Sequence, residues 1–313
     1  MIDQTSHPSY AHVKHGQPPI VDQASGLRAV LHPGSPQHRP VQVVAVSSGK
    51  GGVGKTNVVI NVAVACARQQ RNVLVLDADL ALGNVDILLG LAPTHTIEDV
   101  LSGDRTLGEV VVKGPEGIHI LPAASGIHEL SNLTYDQQLL LQSGFLQLEH
   151  PPDLLMIDCA AGLSANVLYF SVIADDTLVV VTPEPSSLTD AYALIKVLST
   201  RYQQRRFRLL VNMVRKPMEA KDVFRKLSLV TDRFLNVTLD YVGYIPFDDC
   251  IPLAVSQQRP VSTAFPRSSA SRAFTRVGTA MGQWKHDHSL RGGYQLFGAA
   301  GFGPRHEEMG KTA

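Results

Sequence analysis

The sequence predicts an α/β protein built on a doubly wound, mostly parallel sheet with helices on both faces. Three observations predict it. At least six short segments read as strands and are apolar at odd and even positions alike, as strands are when both faces are covered. Stretches of helical length separate them, the alternation that builds parallel sheets. The first strand also runs straight into Gly49-Lys50-Gly51-Gly52-Val53-Gly54-Lys55-Thr56, which fits G-x-x-x-x-G-K-[ST] with Gly49, Gly54, Lys55 and Thr56 at the fixed positions.

Bulk properties bound the reading. With 313 residues, 44% apolar and 18% charged, the chain can bury one large core over residues 41–285, between tails at 1–40 and 286–313. Twenty-eight basic and 28 acidic residues cancel, so no global field draws the protein to nucleic acid and direct DNA binding is not expected. Cys66, Cys159 and Cys250 lie far apart without a C-x-x-C pair, which argues against a disulfide framework and a zinc site. No run approaches the ~20 apolar residues needed to span a bilayer, so a cytoplasmic protein is expected.

Residues 41–56 (VQVVAVSSGKGGVGKT) read as a buried strand, a loop and the first turn of a helix. Backbone N–H groups can wrap a polyphosphate only where no Cβ blocks the approach, and Gly49, Gly51, Gly52 and Gly54 keep it open. Lys55 reaches the β- and γ-phosphates, Thr56 offers its hydroxyl to Mg²⁺, and Val53 and Asn57 complete the cradle at the positive end of the helix. Lys50 is a second cation, one that a mononucleotide loop already served by Lys55 does not need. It points to charge that Lys55 cannot reach.

The form G-K-G-G-V-G-K-T resembles the deviant Walker A motif of the ParA/MinD family of P-loop ATPases. The resemblance implies ATP and ADP as ligands, Mg²⁺ as cofactor, and a homodimer when ATP is bound, with Lys50 crossing to the partner's nucleotide.

The first 40 residues are rich in Pro, His, Ser and Gln and read as a mobile tail. Within it, residues 21–31 place Val21, Ala24, Leu27 and Leu31 at helical spacing, a short amphipathic helix that could dock on a partner. Asp22, Gln23, Ala24, Leu27 and Arg28 match the D-Q-A-x-x-L-R element of the flagellar-number ATPases called FlhG or FleN. That resemblance implies activation of the GTPase FlhF, with flagellar switch proteins of the C-ring or a flagellar transcription regulator as further partners.

Beyond the loop, residues 57–70 read as a helix and 72–77 as a strand, delivering Asp77 and Asp79 to the edge where doubly wound folds bind ligands. The run from Asp77 to Asp86 resembles the switch I region of the MinD group. By that resemblance Asp79 orients the attacking water and lies near the magnesium, while Asp77 assists beside the loop lysine. Capping of the next helix is the other task open to Asp77. Asp86 reads as structural or interfacial. Thr96 to Asp99 has the form of a helix start, residues 117–122 a short strand, and 134–149 a helix. No chemistry is assigned to the LPAASG run that begins at Leu121.

Residues 153–158 (DLLMID) are an apolar strand ending in a carboxylate, as the magnesium-side aspartate of a P-loop enzyme should be. The family usually continues D-T-G-A-G or D-T-P-A-G. Asp158, Ala161 and Gly162 match, whereas Cys159 and Ala160 remove a hydroxyl and a glycine or proline, which could slow turnover.

Strands follow at 177–182, 207–212 and 241–246, with a helix from Pro185 to about Tyr202. Asn212 ends a strand at the ligand edge, where an amide can pair with the donor and acceptor of adenine. In the family an asparagine there does so, and Pro246 and Asp248 resemble its second adenine-side loop; capping remains open for both Asn212 and Asp248. Residues 268–285 read as a closing core helix.

In the last stretch, Leu290 to Phe297 resembles the run-in to the amphipathic membrane-targeting helix of the FlhG and MinD groups, and Tyr294, Leu296, Phe297 and Phe302 could insert at a lipid interface. The interrupting Gly298, Gly301, Gly303 and Pro304 weaken it, so weak peripheral contact with the inner face of the cell membrane is the expectation. The competing functions are a MinD-type division ATPase, a ParA-type partitioner, and a nucleotide-gated scaffold with weak hydrolysis.

Overall fold

The computed structural model describes residues 41–80, 83–124, 132–284 and Leu296. The partner-activating element at Asp22 to Arg28 and the tail apart from Leu296 lie outside the described residues.

Among these, eight strands form one sheet: β1 (Gln42–Ser48), β2 (Val73–Ala78), β3 (Val112–Lys113), β4 (His119–Leu121), β5 (Leu154–Ala161), β6 (Asp176–Val181), β7 (Arg206–Val214) and β8 (Thr238–Pro246). Their order is β3-β4-β2-β5-β1-β6-β7-β8, parallel throughout except for β3 against β4. The doubly wound expectation therefore holds, with one two-residue antiparallel edge added.

The helices are α1 (Lys55–Ala67), α2 (Val85–Leu89), α3 (Ile97–Leu101), α4 (Leu107–Val110), α5 (Tyr135–Leu146), α6 (Ala165–Ile173), α7 (Pro185–Tyr202), α8 (Pro217–Phe234), α9 (Cys250–Ser256), α10 (Val261–Ala264) and α11 (Ser269–Met281). Their starts follow local chemistry. Thr96 and Asp99 exchange side-chain and backbone bonds in a capping box before α3, and Thr134 with Gln137 does the same before α5. Pro185 and Pro217 open α7 and α8, where a missing N–H costs nothing.

Alternate strand residues enter two cores. Val43, Ala45, Leu155 and Ile157 pack beneath α3 to α8, whereas Val44, Val46, Leu154 and Met156 pack beneath α1, α2, α9, α10 and α11. This is why the strands are apolar at every position. Leu296 is fully buried in the first of these cores, so the lipid insertion expected of it would require withdrawing its side chain from that cluster.

At the amino-terminal edge, opposite the strand ends that carry the motifs, Arg208 is 5% exposed and bonds Asp176 at 2.7 Å. The Trp284 ring lies 3.9 Å above its guanidinium. Removing one partner of a buried pair strands the other charge. Arg208→Ala is thus expected to lower unfolding stability by about 3–5 kcal/mol, read as a reduced urea midpoint.

Candidate functional site

The motif residues meet at the carboxyl ends of β1, β2, β5 and β7. After Ser48 the chain turns tightly, with the Ser48 hydroxyl donating to the Lys50 carbonyl at 2.8 Å and the Gly162 N–H donating to the Ser48 carbonyl at 2.9 Å. The phosphate loop is thereby tied to the segment after Asp158. Gly49 is required sterically, because a Cβ there would lie 2.2 Å from the backbone carbonyl carbon of Asp190 in α7. Gly54 takes a left-handed φ of 83° as the residue before α1, a conformation that favours glycine.

Lys55 and Thr56 open α1 beside Asp158. The strands align Val46 with Asp158 and Asp158 with Asp77, so β5 carries its carboxyl between the loop strand and β2. The Thr56 hydroxyl hydrogen-bonds Asp158, and the Lys55 charge lies close by. Burial raises the Asp158 carboxyl to about 6 in spite of both. Its Oδ1 is buried with no partner. An orphaned carboxylate oxygen beside a hydroxyl suits Mg²⁺, a hard cation that keeps several waters and takes one or two carboxylates plus phosphate oxygens. Among the described residues no cluster of three His, Cys, Asp or Glu side chains forms an all-protein metal cage.

Of the two tasks open to Asp77, assistance near the loop lysine and magnesium or capping of the next helix, its hydrogen bonds match the cap. It is 2% exposed, its Oδ1 accepts from the Asp79 N–H at 3.2 Å, and its Oδ2 accepts from the N–H groups of Asn84 at 3.0 Å and Val85 at 3.1 Å. It therefore holds the start of α2. Burial, then the charge of Asp158, push its carboxyl up to about 8 against the bonds from Val85 and Asp79. Asp79 follows at the end of β2, half-buried and near enough for its charge to raise both neighbours.

A stability prediction follows from these two carboxyls. Each holds its proton more tightly in the fold than in the unfolded chain, so their contribution is complete below about pH 4 and is lost as pH rises through about 6 and about 8. The melting temperature of nucleotide-free protein is expected to fall between pH 5 and pH 8. Mg²⁺ with ATP should flatten the Asp158 part of that slope, because a cation beside its unpartnered oxygen takes over the proton's role.

Lys50 points away from its own cradle. Its Nζ donates to Glu184 at 2.7 Å and to the Ser186 hydroxyl at 2.9 Å, at the start of α7. Neither Glu184 nor Ser186 belongs to a motif, and their role follows only from the fold.

Asn212 is 3% exposed; its Nδ2 donates to the Val53 carbonyl at 2.8 Å, while its Oδ1 is buried without a partner. The donor end of the amide thus sits against the phosphate loop, and the acceptor is left unpaired. Pro246 pairs with Val214 on the same edge, and the Arg215 guanidinium stacks 4.3 Å from the Phe247 ring.

Asp248, for which both the base side and a helix cap were open, has both oxygens committed to capping. Oδ1 accepts from the Cys250 N–H at 2.9 Å, and Oδ2 from the Ser269 hydroxyl at 2.6 Å and the Ala270 N–H at 2.9 Å. Burial alone would raise its carboxyl, but these bonds outweigh it and lower the value to about 2. Asp248 is a cap for α9 and α11. Cys159 is buried and its thiol is pushed up to about 12, chiefly by that burial, so it is no nucleophile.

The model of the family described as "AAA domain" matches residues 41–211. The antiactivator FleN of Pseudomonas aeruginosa is 48% identical over 258 residues, covering 82% of this chain and 92% of the relative. The flagellum site-determining protein YlxH of Helicobacter pylori is 29% identical over 75% of this chain and 79% of the relative. Among solved structures, the septum site-determining protein MinD of Pyrococcus horikoshii, complexed with Mg-ADP, superposes with a TM-score of 0.61 at 26% identity. That match covers 78% of this chain and 96% of that one.

Proposed function

The chain belongs to the MinD/ParA-type ATPases with an AAA domain, in the FleN group, and from that premise we propose that ATP joins two copies of it across their phosphate loops. It is an ATP hydrolase with Mg²⁺ as cofactor, and it regulates flagellar number. The finer reading rests on one observation above all: Lys50 sits at the mouth of the site on exposed partners, half-exposed itself, and not in its own cradle. A charge so placed is available to a second molecule.

In this reading the glycine loop and Lys55 hold the polyphosphate, and Asn212 meets the base with its free oxygen. Thr56 and Asp158 hold the magnesium ion, with Asp79 nearby; when bound, the ion neutralises charge on the β- and γ-phosphates. Asp79 orients water toward the γ-phosphate, and hydrolysis releases the pair. ATP drives the cycle to the extent that it binds the dimer better than ADP does. Exposed Leu163, Met213 and Phe247 ring the same edge, as a face meeting another copy would require. Cys159 where the family has a hydroxyl favours slow turnover.

The element at Asp22, Gln23, Ala24, Leu27 and Arg28 stimulates an FlhF-type GTPase, and C-ring proteins or a flagellar transcription regulator are the other partners. Among the described residues no helix is long and apolar enough to cross a membrane. Membrane contact in this reading is peripheral, through the segment after residue 286. The deciding experiment is sedimentation of the full chain with Mg²⁺ and ATP or ADP, beside phosphate release. A dimer with ATP alone supports the reading, and monomer under both conditions refutes it. Loss of GTPase stimulation on removing residues 1–40 tests the partner element.

A further inference from the structure

The five-residue α2 is too short to hold its place by its own hydrogen bonds, since isolated helices shorter than about 12 residues are marginal in water. Its position is set by what grips its ends. At the start, the Asp77 carboxylate accepts from Asn84 and Val85 as well as from the Asp79 N–H, so the first turn of α2 and the backbone of Asp79 share one anchor. The approach is close: a Cβ on Gly83 would come within 2.8 Å of Asp77 Oδ2 and 2.4 Å of the Ala123 Cβ. Movement of α2 therefore cannot leave Asp79 undisturbed.

The other end is gripped from across the fold. Gln258 Nε2 donates to the Ile87 carbonyl at 3.1 Å, and a Cβ on Gly90, which ends α2, would lie 3.2 Å from the Gln258 side chain. Gln258 itself holds a left-handed φ of 52°, uncommon for a residue with a side chain. It lies in the turn that closes α9, where the Gln258 and Arg259 N–H groups bond the carbonyls of Val255 and Ala254. The start of α9 is capped by Asp248, two residues after β8 ends at Pro246. Ala254 of α9 also shares a core with Val85, Leu88 and Leu89 of α2. A continuous run of contacts thus leads from the Pro246 side of the site through α9 and Gln258 to α2, Asp77 and Asp79.

We infer that Gln258 is a positioning residue for hydrolysis, acting through the Ile87 carbonyl to set α2 and hence Asp79. This rests on the assignment of Asp79 to the attacking water. Gln258 touches neither phosphate nor Asp79, so its loss should change the rate of the chemical step and leave nucleotide affinity alone.

The test measures kcat and KM for ATP with saturating Mg²⁺ in the full chain and three variants. Gln258→Ala removes the side chain, Gln258→Glu keeps its length but sets an acceptor against the Ile87 carbonyl, and Gln258→Lys restores an N–H donor. Ala and Glu are expected to lower kcat about fivefold with KM unchanged, and Lys to recover most of it. A wild-type kcat in Ala and Glu would overturn the inference, as would a rise in KM at constant kcat. Should Ala melt early, the contrast between Glu and Lys decides alone, equal rates in those two counting against the role. Asp79→Ala, run alongside, keeps the outcomes separate. Turnover that survives Asp79→Ala sinks the underlying reading, whereas turnover lost there but insensitive to Gln258 sinks only the coupling.

Discussion

Lys50→Ala is expected to leave the ATP-loaded protein monomeric and to cut steady-state hydrolysis by about 10²–10³-fold, the usual loss when one preorganised charge facing a transferring phosphoryl group is removed. The geometry makes the distinction from a cradle lysine sharp. Lys50 bonds Glu184 and Ser186, whereas Lys55 lies beside Asp158. Removing Lys50 should therefore spare binding of ATP to the monomer, measurable with a fluorescent analogue, while sedimentation shows no pairing. The grip on Lys50 in one chain is weak, because the lysine and Glu184 side chains are 37% and 61% exposed and such ion pairs contribute about 0–1 kcal/mol. A partner's phosphate can outcompete it. ATP-dependent pairing in Lys50→Ala at wild-type strength would contradict the role given to this residue.

Asp79→Ala should show the opposite pattern. The carboxylate sits past the end of β2, next to the pair Asp77 and Asp158, and is the half-exposed member of the three. Without it the protein should still bind ATP and dimerise, and because the γ-phosphate persists the dimer should accumulate. Turnover is expected to drop by about 10²–10⁴-fold, the range for loss of a group that positions or deprotonates a nucleophile. Single-turnover phosphate release together with sedimentation would show this, and wild-type turnover would remove Asp79 from the chemistry. Asp77→Ala is not equivalent, since it releases the Asp79 N–H and the start of α2 together.

Much of this was legible in the chain because it depends on local or periodic signals. The phosphate loop announces itself by glycine spacing, and strands covered on both faces announce themselves by unbroken apolar runs, so β1, β2, β5, β6 and β7 fell where the pattern placed them. The carboxylates at Asp77, Asp79 and Asp158 were found because each ends such a run. What the sequence leaves open depends on partners distant in sequence. Whether Asp248 meets a base or caps a helix is decided by Ser269 and Ala270, some 20 residues on, and nothing within the Pro246-Phe247-Asp248 run records them. Glu184 and Gln258 carry no sequence signal for the same reason, since each matters through a residue more than 130 positions away. The two-residue β3 carries no periodicity at all, and α8, with its charged outer face, had no motif to draw attention to it.

The stacking of Trp284 on Arg208 makes the chain its own optical reporter. No other tryptophan is present, so emission comes from one corner, where the end of α11 meets the amino-terminal ends of β6 and β7, remote from the nucleotide edge. A cation held against the indole face dims and shifts that emission. Its recovery on denaturation would track the undocking of α11, whereas loading the phosphate loop should leave the signal almost silent.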